Sequence, residues 1–124
     1  MEFEDYKKKY PNLFKTYPRS GFDVAPGWEV LVESLCDTLE WHIKNLPEEI
    51  QGGIECAQVK EKFGTLRFYM TQETPYISGA ISMAEHMSAH ICETCGLPCK
   101  IRVGGWTLTL CDLHHDQREQ AKKK

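Results

Sequence analysis

The chain has 124 residues, 41% hydrophobic and 27% charged, the length of one ordinary globular domain and too rich in apolar side chains for a disordered segment. Its net charge of -3 is uneven, with six Lys/Arg against ten Asp/Glu in residues 1–53 and six against four in residues 91–124, and no basic face of the kind a duplex-DNA binder carries. No apolar signal region follows Met1 and no stretch approaches the ~18 apolar residues of a membrane span, which argues against secretion and membrane insertion and for a cytoplasmic protein. In a reducing compartment the six cysteines then point to metal or redox chemistry rather than disulfides.

Residues 1–27 form an aromatic N-terminal arm. Phe3, Tyr6, Tyr10, Leu13, Phe14 and Tyr17 recur at helical spacing, and Pro11 divides them into two short helical pieces that end before Pro18. Such an arm wraps a core or docks a partner. On the second reading Tyr6 and Tyr10, with Trp41 of the next element, are the candidate partner-binding residues.

Residues 28–90 are expected to be a helix, a β-hairpin and a second helix. Trp28, Leu31, Val32, Leu35, Leu39, Ile43 and Leu46 form one stripe of a helix that Pro26-Gly27 opens and Pro47 closes. Cys36 lies on its edge as a small buried hydrophobe, while Val30 and Trp41 project from the opposite side, to be covered by the arm or left as an interaction patch. Two strands, Ile54–Val59 and Thr65–Met70, are joined by Lys60–Gly64, with Leu66, Phe68 and Met70 facing the core. Thr74-Pro75 starts the second helix, whose buried stripe is Ile77, Ala80, Ile81, Ala84, Met87 and Ile91. His86 and His90, four apart, lie away from that stripe and read as solvated histidines.

Residues 91–121 carry the chemistry. Cys92-Glu93-Thr94-Cys95-Gly96 is a C-x2-C turn that presents two thiolates to one ion, and Cys111-Asp112-Leu113-His114 repeats the short spacing on the first turn of a polar helix. Four such ligands suit one tetrahedral Zn2+ with no open position, a structural site. Between the pairs, Lys100–Val103 and Trp106–Leu110 read as a hairpin about Gly104-Gly105, completing a treble-clef zinc finger in which Trp106 covers the metal site or joins it to the core. Cys99 and His115 are placed outside the ligand set, because Cys99 breaks the C-x2-C symmetry and His115 is rotated by roughly 100° from His114 on a helix.

Enzymatic readings fit less well. A thioredoxin-like pair follows a strand rather than a helix, and a zinc hydrolase or deaminase needs an open position and a neighbouring general base such as His-x-Glu. An HNH-like nuclease built on His114-His115 lacks a downstream His or Asn partner, and its dyad overlaps the ligand pair.

Gly27-Trp28, the run Val59-Lys60-Glu61-Lys62-Phe63-Gly64-Thr65-Leu66-Arg67-Phe68-Tyr69, Ile91–Gly96 and Gly104-Gly105-Trp106 through His114 together carry a resemblance. Over roughly residues 27–115 the chain resembles a family of small, largely uncharacterised proteins encoded by bacteriophages and prophages. The resemblance implies the ligand set Cys92, Cys95, Cys111 and His114 and a phage setting, and it implies no catalytic residue. The expectation is a single α+β domain over residues 1–124, non-enzymatic, holding one structural zinc and binding a protein partner, host-encoded or part of host defence, in the host cytoplasm. The alternative is a DNA- or RNA-binding regulator with Lys100, Arg102, Arg118 and Lys122–Lys124 on phosphates.

Overall fold

In the computed structural model, which describes residues 1–103 and 106–123, the chain is α+β, with five helices and two small antiparallel hairpins among those residues. The elements in order are α1 (Phe3–Lys9), a 3-10 turn (Pro26–Trp28), α2 (Glu29–Lys44), α3 (Glu48–Gln51), β1 (Cys56–Lys62), β2 (Thr65–Met70), α4 (Pro75–Ser88), β3 (Lys100–Arg102), β4 (Leu108–Leu110) and α5 (Asp112–Lys122). Among the described residues no helix is long and apolar enough to cross a membrane.

The stripe on α2 is buried as its spacing requires, from Leu31 and Val32 through Leu35, Cys36 and Leu39 to Ile43. Helix α4 begins where the Thr74 hydroxyl accepts a hydrogen bond from the Ile77 amide at 3.2 Å, with Pro75 in the first turn where no amide partner is needed. The two helices pack on each other and α4 packs on β2, whose Leu66 and Phe68 point inward. Strand β1 extends to Lys62, three residues further than its apolar pattern suggests, so the connection is only Phe63-Gly64. Both residues have positive φ, 53° and 82°, the geometry of a type I′ turn that matches the twist of the strands.

The aromatic arm belongs to the core. Tyr6, Tyr10, Leu13 and Phe14 are all 0–1% exposed and join one buried cluster with Trp28, Leu39, Ile54, Phe68 and Ile77. Phe22 meets Phe3, Tyr6 and Phe14 edge-on at centroid separations of 5.2, 5.0 and 5.6 Å. Tyr6 and Tyr10 are therefore not a partner surface: their rings are enclosed by the rest of the core. The second helical piece of the arm is absent as well, because Pro11–Leu13 form a turn and the following chain spends its backbone groups on β1. The Cys56 amide donates to the Leu13 carbonyl at 2.9 Å, Ser20 to Ala57 at 3.1 Å and Asp23 to Val59 at 2.9 Å, which covers the free edge of that strand. The arm does not reach Val30 and Trp41, which stay 76% and 58% exposed on the outer side of α2.

Candidate metal centre

Residues 91–99 leave α4 and turn sharply. The Gly96 amide donates to the Cys92 carbonyl at 2.9 Å and the Cys92 amide to the Leu97 carbonyl at 2.8 Å, with Gly96 at φ 84°, where a side chain would be strained. This knuckle is fixed to the core by backbone groups. The Gly27 amide donates to the Glu93 carbonyl at 2.8 Å, and the Trp28 indole N–H donates to the Ile91 carbonyl at 2.9 Å. Thr109 of β4 ties the other side: its amide donates to the Glu93 carboxylate at 3.0 Å, its carbonyl accepts from the Glu93 amide at 2.9 Å, and its buried hydroxyl donates to the Gly64 carbonyl.

Strand β4 ends at Cys111, the N-cap of α5, so that Cys111 and His114 share the first helical turn. Arg102 of β3 braces this start by donating to the Leu110 carbonyl at 3.1 Å and pairing with Asp112 at 2.5 Å. The result is one tight group. The Sγ atoms of Cys92, Cys95 and Cys111 and a ring nitrogen of His114 lie within 4.8 Å of one another and could hold a metal ion. The Cys95 and Cys111 sulfurs are 3.7 Å apart, and His114 Nδ1 lies 3.7 Å from Cys92 Sγ and 3.1 Å from Cys111 Sγ. A tetrahedral ion ~2.3 Å from sulfur and ~2.0 Å from nitrogen has edges of about 3.8 Å (S to S) and about 3.5 Å (S to N), so the donor set fits.

The electrostatics favour a ligand thiolate at one position. Burial opposes ionisation of Cys92, but N–H groups of Cys111, Cys95 and Thr94 aimed at its sulfur, with the Cys95 thiol, outweigh it and bring the thiol down to about 6. Cys99 goes the other way, pushed up to about 11 by burial and by the charges of Cys92 and Cys111. It packs beside Cys92, Leu110 and Cys111 without joining the four donors, and His115, also outside that group, keeps its Nδ1 buried with no hydrogen-bond partner among the described residues. Cys36 and Cys56 are distant packing residues, burial raising the first well above its ordinary range and the second to about 12.

Trp106 neither covers the metal group nor joins the core: it is 69% exposed and shares a cleft with Lys62 and Phe63 at the tip of the first hairpin. The Gly104-Gly105 turn and Lys124 of the basic tail lie outside the described residues. His86 and His90 are exposed, with ring centroids 5.3 Å apart, and take no part in the four-residue group. What the spacing of residues did not disclose is how the knuckle docks, through Gly27, Glu93 and Thr109. The Pro26-Gly27-Trp28 sequence was the available signal, since glycine beside a large buried ring marks a close backbone approach. No family model, curated protein or solved structure matches the chain.

Proposed function

We propose that the protein is a non-enzymatic binding module whose C-terminal part is a treble-clef finger stabilised by one zinc ion, and that it acts by holding a protein partner. The observation that carries this is the convergence of three thiols and one imidazole at tetrahedral spacing. Three thiolates and an imidazole nitrogen suit Zn2+, and four protein ligands leave no position for a water or substrate, so the ion holds structure rather than performing a reaction. Support for a partner comes from Trp41, 58% exposed on a charged helix face, and support for a host-encoded one from the resemblance to phage proteins.

Elemental analysis of purified protein is expected to find one zinc per chain, lost in His114→Ala and retained in Cys99→Ser and His115→Ala. Equal zinc in His114→Ala and the parent would overturn the ligand set. Affinity capture from host cells, with an unrelated zinc-finger chain as control, tests the partner, and capture of no protein beyond those held by that control would overturn it.

One observation favours a nucleic-acid reading instead. Phe63 and Trp106, 68% and 69% exposed, flank a cleft of about 290 Å³ that Glu61 and Lys62 also line, an aromatic corner suited to stacking a base. Retention on single-stranded nucleic acid that falls with salt and with Trp106→Ala would establish it.

A further inference from the structure

Helices α2 and α4 run antiparallel. His42 of α2 contacts Thr74 at the start of α4, with Nε2 to Oγ1 2.8 Å, while Trp28 at the other end of α2 reaches Ile91 just past α4. Their outward edges do not close over each other. Between them lies a cavity of about 680 Å³ with Ala80 and Ala84 among its lining on α4, Val30 on the α2 side and Met83 and Met87 on the α4 side, ending at Cys95 and Gly96 of the knuckle. Val30 is 76% exposed, Met83 62% and Met87 44%, which is a concentration of large apolar side chains in water that the fold itself does not use.

Helical spacing extends this surface beyond the cavity. Val30, Ser34 and Trp41 fall on one line of α2, and Tyr76, Ala80, Met83 and Met87 on one line of α4. Trp41 and Tyr76 are 58% and 47% exposed, and the Tyr76 ring is stacked on His42 at 4.3 Å. From Val30 to Trp41 is three helical turns, about 16 Å, the span along which a docked helix of the same length makes contact at i, i+4, i+7 and i+11. Two large aromatics mark one end and two methionines the other, where flexible thioethers adapt to a varied apolar surface.

Charge identifies the occupant. Residues 20–43 and 68–99, which include α2 through Ile43 and the whole of α4, contain no Lys or Arg, and they hold Asp23, Glu29, Glu33, Asp37, Glu40 and, further on, Glu73, Glu85 and Glu93. Glu29 lines the cavity itself, although its carboxylate is paired with the Met1 ammonium at 2.8 Å, and Asp37 lies exposed on the Val30–Trp41 edge. Glu33 is paired with Lys9 of the arm at 3.7 Å, and Glu40 and Glu85 accept the Leu13 and Phe68 amides, so the exposed Asp37 carries the anionic edge of the groove. A second copy of the chain would bring the same anionic helices together, like charge facing like.

We propose that the α2–α4 groove docks an amphipathic helix of about three turns from a partner protein, its apolar face between Val30, Trp41, Tyr76, Met83 and Met87 and its flanks rich in Lys and Arg. This rests on the partner-binding reading and names the surface and the chemistry that reading leaves open.

The test uses the full metal-loaded chain and three fluorescent synthetic peptides of about 16 residues, long enough for the three turns required. One is a Leu/Lys helix with leucines on one face, one its Leu/Glu counterpart, and one a scrambled Leu/Lys sequence of the same composition. The patterned Leu/Lys peptide is expected to bind at least about tenfold more tightly than either control at about 0.15 M salt, and to lose about tenfold or more on Val30→Lys/Met83→Lys. Both positions are exposed, so circular dichroism and metal content are expected to be unchanged; Ser34→Arg, also exposed, blocks the same groove should that double variant fail to fold.

Equal binding of patterned and scrambled peptides, or undiminished binding by the groove variants, overturns the proposal. So does a dimer in sedimentation equilibrium that Val30→Lys/Met83→Lys abolishes, since a second copy then fills the groove. A host partner captured equally by parent and groove variant keeps the partner-binding reading and overturns this surface. Groove-dependent binding of the Leu/Lys peptide supports the surface even where capture finds no host partner.

Discussion

A methyl group at Gly27 would sit 2.0 Å from the Cys92 carbonyl oxygen and 2.7 Å from the Gly96 nitrogen, both main-chain atoms that no rotamer change can move aside. Gly27→Ala is expected to cost about 3 kcal/mol in urea unfolding of the metal-loaded chain, and to weaken metal retention because the displaced atoms belong to the knuckle. Phe63 presents the opposite case. It holds a left-handed φ of 53° while its ring stays 68% exposed, so little packing offsets the strain of a bulky residue there. Phe63→Asn produces the Asn-Gly pair that type I′ turns prefer, and is expected to stabilise the fold by about 1 kcal/mol, raising Tm by about 4 °C in a thermal scan. A fall in Tm would show that the Phe63 side chain supports the folded state.

Among the elements, the arm depends on one lysine more than on its three-lysine run. The Lys15 ammonium donates to the carbonyls of Asn12, Gln51 and Ile54 at 2.6, 3.0 and 2.6 Å, joining the arm to α3 and the approach to β1. Burial lowers its pKa, against the pull of Glu55 and Glu40. Lys15→Met leaves those carbonyls without a donor and is expected to cost about 2 kcal/mol, whereas Lys7→Ala and Lys8→Ala on exposed α1 positions stay within about 0.5 kcal/mol in the same denaturant titration. The two long helices were legible in the sequence because each has one buried side, and a one-sided helix writes its 3.6-residue period into the chain. The arm was only half legible. Tyr10, Leu13 and Phe14 carry helical spacing, yet Pro11–Leu13 turn and residues 13–23 pair with β1, a long-range hydrogen-bonding choice that local periodicity does not record. The Cys/His group was legible because donors that converge on one point come from short turns, whereas the exposed groove was not: Met87 has the spacing of the buried stripe of α4 yet is 44% exposed, on the side that α2 leaves open.

At the scale of the molecule, the buried side chains divide in two. The larger cluster runs from Tyr6 to Ala84, and a small one comprises Cys92, Leu110 and Cys111 with Cys99 and Leu108 against it. The small cluster has little apolar area, and the Cys/His group within it could hold a metal ion, which on the proposed reading supplies what its segment needs to stay folded. Chelation is therefore expected to strip hydrogen-exchange protection from residues 91–121 while the amides of α2, β2 and α4 keep theirs. In a Trp41→Phe/Trp106→Phe background, the fully buried Trp28 should retain blue-shifted emission after metal removal. Loss of protection throughout, with red-shifted Trp28 emission, would mean that the larger core cannot stand without residues 91–121.

Where these two parts meet, the acceptors are main-chain carbonyls: the Gly27 amide donates to Glu93, the Trp28 indole N–H to Ile91 and the Thr109 hydroxyl to Gly64, with Gly96 close against Gly27. A junction of that kind is indifferent to most side-chain changes on either side, so surface sequence can drift without altering how the parts are joined. It is also portable. Grafting residues 91–123 onto another helical scaffold should require a Pro-Gly-Trp entry to the receiving helix, an acceptor for Thr109 and an apolar seat for Ile91 alone, which makes the joint an engineering fitting rather than an interface.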